Sequence, residues 1–256
     1  MSATEKAGHT FLASLGKTRL RPGGVEATEW LFRQSQLTPG SQVLEVACNM
    51  ATTAIELVQR FGCTVYAIDM DKNALNKARS NVAHNGLENH IHVMAANANT
   101  LPFADNSFDV VINEAMLTMY ADKAKAKLIA EYHRVLKPGG RLLTHDIMFT
   151  AQKLEEGDQY QLVQVVKSNV SPLTKQGWSD LLMSAGFEQV MQQNGKMSLM
   201  SPRGLIRDEG VKGALKIAFN GMRTYENRRR FLKMFRFFHS QRHQLNYIAN
   251  CSIKGK

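Results

Sequence analysis

The stretch QVLEVACNMATTAIELVQRFGCTVYAID, residues 42–69, decides the fold. It opens on Gln42–Ala47, a short apolar run suited to a buried parallel strand. Residues 51–61 follow with helical periodicity, and Cys63–Asp69 reads as a second strand. Strand, helix and strand in that order form a right-handed crossover within a parallel sheet. The turn Thr38-Pro39-Gly40-Ser41 marks where it begins.

The same rhythm continues outward. Lys72–Ala83 is helical and is ended by Asn85-Gly86. Ile91–Ala96 and Asp109–Asn113 read as the third and fourth strands. Asp122–Leu136 is a helix closed by Lys137-Pro138-Gly139-Gly140, which cannot continue it. Arg141–Ile147 is the fifth strand, Gln176–Ala185 a further helix, and a sixth strand starts at Gln189–Met191. Leu245–Ile253 partly alternates and is expected to pair at an edge of the sheet. The pattern predicts an α/β fold: a doubly wound, seven-stranded, mostly parallel sheet with helices on both faces. A helical insertion, 201–243, precedes the last strand. The expected organisation is one domain over 1–256, with an N-terminal helical lid at 1–37, a ligand-binding core at 38–200, the insertion as a cap, and the final strand at 244–256.

Composition agrees with a globular chain. The 256 residues are 44% hydrophobic, with 18 Gly and 6 Pro, which excludes collagenous and disordered classes. The 3 cysteines, Cys48, Cys63 and Cys251, form neither a metal cluster nor a disulfide framework and read as reduced thiols of a cytoplasmic protein. No apolar run is long enough to span a bilayer, and the N-terminus carries no hydrophobic signal segment.

Charge is uneven. The chain carries a net +10, and residues 203–242 hold 11 basic against 3 acidic side chains. That concentration reads either as a contact with something negative or as a solvated helical face. Within the insertion, Val211, Leu215, Phe219 and Met222 form one apolar stripe, and Phe231, Phe235 and Phe238 another, both expected to be buried. Arg228, Arg229, Arg230, Lys233 and Arg236 are expected to stay outside, at the entrance of the cleft.

In open α/β sheets a ligand binds outside the carboxyl ends of the strands. That directs attention to Glu45 through Ala51 after strand one, Asp69 after strand two, Asn97 and Ala98 after strand three, Asn113 and Glu114 after strand four, and His145 and Asp146 after strand five.

Two segments, Leu101–Val111 (LPFADNSFDVV) and Arg134–Arg141 (RVLKPGGR), at their spacing after an acidic second strand end, make the sequence resemble the class I S-adenosylmethionine-dependent methyltransferases. The resemblance covers roughly 38–190 and is to the small-molecule branch, which includes the ubiquinone and menaquinone methyltransferases. It implies the Rossmann-like methyltransferase fold and S-adenosyl-L-methionine as cofactor. Glu45 matches the family's acid in the first loop, but Ala47, Asn49 and Ala51 stand where that family has glycines. Glycine serves there because the backbone adopts φ > 0.

The resemblance further implies roles. Ala47, Cys48 and Asn49 would pack against the amino-acid part of the cofactor, with no chemistry assigned to the Cys48 thiol. Asp69 would accept from both ribose hydroxyls; its alternative is a helix N-cap. Met70 would lie against the adenine, with Asn97 and Ala98 bonding its ring. Asn113 would close the pocket. On the acceptor side, Glu114, Tyr120, His145 and Asp146 are the candidates for catalysis, with His145 as a base. Trp178 with Tyr120 is expected to flank the acceptor or to pack in the core, and Arg19 and Arg21 to hold an anionic group or to be solvated.

The leading reading is methyl transfer to a small molecule, anionic or lipid-soluble. The alternatives are methylation of RNA or another anionic macromolecule gripped by 203–242, a non-catalytic cofactor-binding module, a nicotinamide dehydrogenase lacking both quoted segments, and docking of the basic helices on an anionic membrane.

Overall fold

The computed structural model describes residues 7–150, 156–166 and 170–256. Strands β1 (Gln42–Val46), β2 (Thr64–Asp69), β3 (Ile91–Ala95), β4 (Phe108–Glu114), β5 (Leu136–Phe149), β7 (Phe187–Lys196) and β8 (Leu245–Lys254) form one sheet in the order β3-β2-β1-β4-β5-β8-β7. A two-residue β6 (Leu173–Thr174), not foreseen in the sequence, pairs with β5. Pairing is parallel from β3 to β5, and β8 runs antiparallel to both β5 and β7.

Alternation along the strands divides the core. Val43, Val65, Val110 and Leu143 point to one face, against α2 (Gly24–Gln34), α3 (Thr52–Phe61) and α4 (Lys72–His84). Leu44, Ile68, Val111 and Leu142 point to the other, against α5 (Asp122–Val135) and α7 (Lys175–Ser184). This is the period-2 pattern of a sheet buried on both faces. Helix starts follow capping chemistry: Asp71 accepts from Asn73 and Ala74 N–H, and Thr174 from Gly177 N–H.

Three expectations need correction. The helix expected to reach Leu136 stops at Val135, and the strand begins at Leu136 rather than Arg141, with a register shift where the Pro-Gly-Gly segment passes β4. The last strand is not at an edge: β8 lies between β5 and β7 and is buried through most of its length. Its polar residues obscured this, because Asn250 is satisfied internally by Thr144 (2.9 Å) and Gln192 (3.0 Å). The stripe Val211, Leu215, Phe219 and Met222 is exposed, not buried.

The insertion is α8 (Pro202–Arg223), bent at Gly210, and α9 (Tyr225–Ser240). It packs through Leu205, Ile217, Phe231, Met234 and Phe237 onto α1 (Gly8–Ser14), α6 (Glu156–Val166) and the adjoining ends of β5 and β8. Phe235 and Phe238 are only partly buried. Arg230 turns inward, with its guanidinium 4.5 Å from the Phe11 ring centroid. Lys17, fully buried, meets Asp208 and Glu209 at 3.5 Å, and Glu209 also accepts from the backbone N–H of Thr18 and Arg19. These bonds tie the insertion to the N-terminal segment.

Helices α8 and α9 approach closely at Gly221, where an added Cβ would sit 2.9 Å from the Phe231 ring. Glycine to alanine inside a helix normally stabilises by about 0.5–1 kcal/mol. Here crowding reverses the sign, at an overpacking cost of about 1–3 kcal/mol. Gly221→Ala is therefore expected to lower the melting temperature; a rise in thermal denaturation would show that the hairpin is not packed this way.

Candidate active site

The carboxyl ends of β1, β2 and β4 open into a cavity of about 740 Å³. Its floor is the loop after β1, where Ala47 (φ 58°), Asn49 (φ 48°) and Ala51 (φ 58°) all adopt left-handed backbone. The loop thus takes the conformation that glycine would favour, without glycine, at the three alternate positions singled out in the sequence. Two bonds fix it: Cys48 N–H donates to Ile68 O at 2.9 Å, and Asn49 N–H to Asp69 Oδ2 at 2.9 Å. Asp69 Oδ1 also accepts from Met70 and Asp71 N–H. Asp71, not Asp69, caps α4. Ala51, the N-cap of α3, offers no side-chain bond, but the buried Glu45 carboxylate accepts from Ala54 N–H at 3.1 Å, and Thr52 and Thr53 line the cavity there.

Beside this floor lies a buried polar cluster centred on Glu114. Its Oε1 accepts from Thr53 Oγ1 (3.0 Å) and faces Arg21 Nε (3.4 Å); its Oε2 accepts from Thr28 Oγ1 (2.8 Å) and bonds His145 Nδ1 (3.0 Å). Arg21 in turn donates to Thr28 and Thr53. His145 Nε2 accepts from Gly23 N–H at 2.8 Å, so the ring proton is on Nδ1 and is donated to Glu114. Burial pushes the Glu114 carboxyl up, but the Arg21 guanidinium and the bonds from His145 and Thr28 outweigh it and hold it at about 2. Burial pushes Glu45 up to about 8 against the pull of Arg21, with the Glu114 charge adding to the rise. Burial also pushes the Cys48 thiol well up, so the group stays protonated.

A second, smaller cavity of about 80 Å³ adjoins the first. The two share His9, Leu20, Ala115 and Met119. The smaller one is apolar, walled by Leu12, Pro22, Ile147, Leu199, Met234 and Phe238, with Asp146 as its buried acid. Asp146 Oδ1 accepts from Thr118 N–H (2.9 Å) and Oγ1 (2.7 Å), while Oδ2 has no partner among the described residues. Burial pushes this carboxyl up to about 7, against the Thr118 bonds and Lys125.

The expected site residues separate accordingly. Glu45, Ala47, Cys48, Asn49, Asp69, Glu114 and Tyr120 line the larger cavity, and Asp146 the smaller. Met70 is 70% exposed and, with Asn97, Ala98 and Asn113, lies outside the lining. Asn97 closes a local turn with Asn99 N–H, and Asn113 is fully buried, donating to Val46 O. His145 is fully buried with both ring nitrogens occupied, so it is not available as a base. Trp178 is core, donating to Ile147 O. Arg19 pairs with Glu56 and Arg21 with Glu114, so neither is spare for an anion. The sequence reading missed Thr28 and Thr53, because nothing local in either residue signals a partner far along the chain. It also missed His9 and Thr10 of α1, which line the cavity.

Residues 43–140 match the family model described as a methyltransferase domain. A protein from Haemophilus influenzae, described as uncharacterized, is 51% identical over 98% of this chain and 100% of its own length. The chain belongs to the class I S-adenosylmethionine-dependent methyltransferases. Methyltransferase GfsG of Streptomyces halstedii is 35% identical over 50% of this chain, and the match spans 46% of that protein. Phosphoethanolamine N-methyltransferase 2 of Haemonchus contortus, solved in complex with S-adenosyl-L-methionine, shares the fold, with a TM-score of 0.76 at 18% identity over 97% of this chain and 57% of its own. The methyltransferase loop is therefore built here with alanine and asparagine in the glycine positions.

Left-handed backbone costs alanine about 1–2 kcal/mol, and glycine gives back about 0.5–1 kcal/mol through the unfolded chain. Ala47→Gly should therefore stabilise the protein modestly, with a melting temperature higher by up to about 4 °C. A fall of several degrees would contradict the loop conformation.

Proposed function

We propose that the protein methylates a small molecule whose accepting nitrogen or oxygen lies against Asp146. The observation that carries this is the fully buried Asp146 Oδ2, unpartnered among the described residues, in an apolar cavity contiguous with the larger one. A buried carboxylate oxygen without a donor is costly, and an amine or hydroxyl from a ligand would satisfy it.

The larger cavity fits S-adenosylmethionine by its donor set. Asp69 would accept from the ribose hydroxyls at the end of β2, as expected for a carboxylate at that place in an open α/β sheet. Glu45, Ala47, Cys48 and Asn49 would face the amino-acid part. Met70, Asn97 and Ala98 would flank the adenine from outside the present lining, and Asn113 would support the floor. Bound there, the cofactor supplies a methyl group on a sulfonium sulfur.

The chain's own residues then have distinct tasks. Asp146 accepts the proton that the accepting atom loses on methylation. Tyr120 offers a phenol at the wall between the acceptor and the loop after β4. Glu114 and His145 act as positioning residues: they hold Arg21 and Gly23, and so the N-terminal segment, over the cleft. Met234 and Phe238 of α9 give the acceptor cavity an apolar wall, and the insertion is in this way the cap. Exclusion of water by that wall favours a bound, oriented acceptor, which is the main requirement of a direct displacement.

Two tests follow from these assignments. Asp69→Ala removes the ribose acceptor, and titration calorimetry should show S-adenosylmethionine affinity falling at least tenfold, about 1.4 kcal/mol. Unchanged affinity would remove Asp69 from the site. A panel of small amines, phenols and hydroxy acids, screened with methyl-labelled cofactor, supplies the acceptor for the second test. For an acceptor that must lose a proton, kcat/KM should climb with pH and level off near pH 7, because Asp146 must be ionised to take it. Asp146→Asn should lower kcat/KM by about 10²–10⁴-fold and abolish that limb while leaving cofactor affinity intact. Full activity with an unaltered pH profile would exclude Asp146 as the base.

A further inference from the structure

The second half of α8, residues 211–223, carries an unusual outer face. Val211, Leu215, Phe219 and Met222 recur on successive turns and are 61%, 65%, 66% and 47% exposed. The opposite face, Ile217 and Gly221, is buried against the hairpin partner α9. The helix therefore satisfies its own packing with small and aliphatic residues and turns a second, larger apolar stripe outward. Scattered exposed apolar residues are normal, but four in one contiguous row mark a contact surface.

The charges around that row identify its partner. Lys212, Lys216 and Arg223 are exposed and adjoin the Phe219 side of the stripe. Residues 211–223 contain no Asp or Glu. The two acids of the first half of α8 do not face outward: Asp208 is buried beside Lys17, and Glu209 binds Lys17 and the backbone of Thr18 and Arg19. Just beyond the helix, Tyr225 is exposed, with the Arg228 guanidinium 5.9 Å from its ring centroid. No helix among the described residues is long and apolar enough to cross a membrane. An apolar row with Lys and Arg at its border and an aromatic residue at its end is the chemistry of a helix lying in the headgroup region of an anionic bilayer. A second copy of this chain would bring the same basic border against itself, and a nucleic acid would leave the apolar row in water.

We propose that the outward face of α8, centred on Leu215 and Phe219 and bordered by Lys212, Lys216 and Arg223, docks the protein on an anionic lipid surface. The apolar row enters the interface and the basic border meets the headgroups. This proposal does not depend on the acceptor assigned above.

The test is co-sedimentation of the full chain with vesicles of phosphatidylcholine alone and with vesicles containing phosphatidylglycerol. Binding is expected to the anionic vesicles only, weakening as salt rises. The double variant Leu215→Ser/Phe219→Ser and the charge reversal Lys212→Glu/Lys216→Glu/Arg223→Glu should each reduce it at least tenfold. The substituted side chains are exposed, so both variants should keep the wild-type melting temperature and cofactor affinity. Wild-type protein that stays in the supernatant overturns the proposal, as does vesicle binding that survives either variant. A wild-type dimer in sedimentation equilibrium that the Leu215→Ser/Phe219→Ser variant dissolves also overturns it, because a second copy then covers the row. RNA binding that only the charge reversal removes, without vesicle binding, overturns it in favour of nucleic acid.

Discussion

The buried carboxylate of Glu114 is the point on which the site is hung. It sits at the end of β4 and gathers Arg21 from the N-terminal segment, Thr28 from α2, Thr53 from α3 and His145 from β5. A charge so deeply placed is tolerated because these four elements each send it a donor. Through His145 the same cluster reaches Gly23 N–H. The N-terminal segment is thus tied to the carboxyl ends of β4 and β5. Removing one partner of such a cluster leaves an uncompensated buried charge, a loss of about 3–5 kcal/mol. The cavity is accordingly a built feature of the folded chain rather than a gap left between loosely joined elements.

The first loop presents the complementary constraint. Ala47, Asn49 and Ala51 hold left-handed backbone that favours glycine, and the surrounding bonds keep them there. Strain of this kind persists only where the structure over-determines it, and it concentrates where a ligand must approach the backbone closely. Asp69 serves both purposes, bonding Asn49 N–H on one side and lining the cavity. The loop after β1 and the end of β2 therefore form one unit.

Most of the fold was legible in the sequence because strand and helix periods are local. Gln42–Ala47, Cys63–Asp69, Ile91–Ala96 and Asp109–Asn113 placed β1 to β4 within a residue. What failed was non-local. Asn250 and Ser252 made β8 look like an edge strand, although Asn250 finds its partners on both neighbouring strands. The stripe of Val211, Leu215, Phe219 and Met222 has helical periodicity, but periodicity does not say which of two apolar faces meets the protein. In the site, Glu45, Asp69 and Asp146 were visible as strand-end acids. The role of His145 was not, because its sequence position is equally that of a base and of a buried link, and only the bond from Gly23 separates the two. Arg21 was read as a possible anion holder for the same reason: its partner Glu114 is 93 positions away in the chain.

The larger cavity is proposed to be ready for the cofactor, with Asp69 at one end and the Glu114 cluster intact at the other. The most direct measurement is a crystal structure of the full chain with S-adenosylhomocysteine. The nucleoside is expected against Asp69 and the loop 47–51, with Arg21, Glu114 and His145 still bonded and the Asp146 cavity open beside the ligand. A ligand bound elsewhere, or a bound state in which the N-terminal segment has left Glu114, would contradict it.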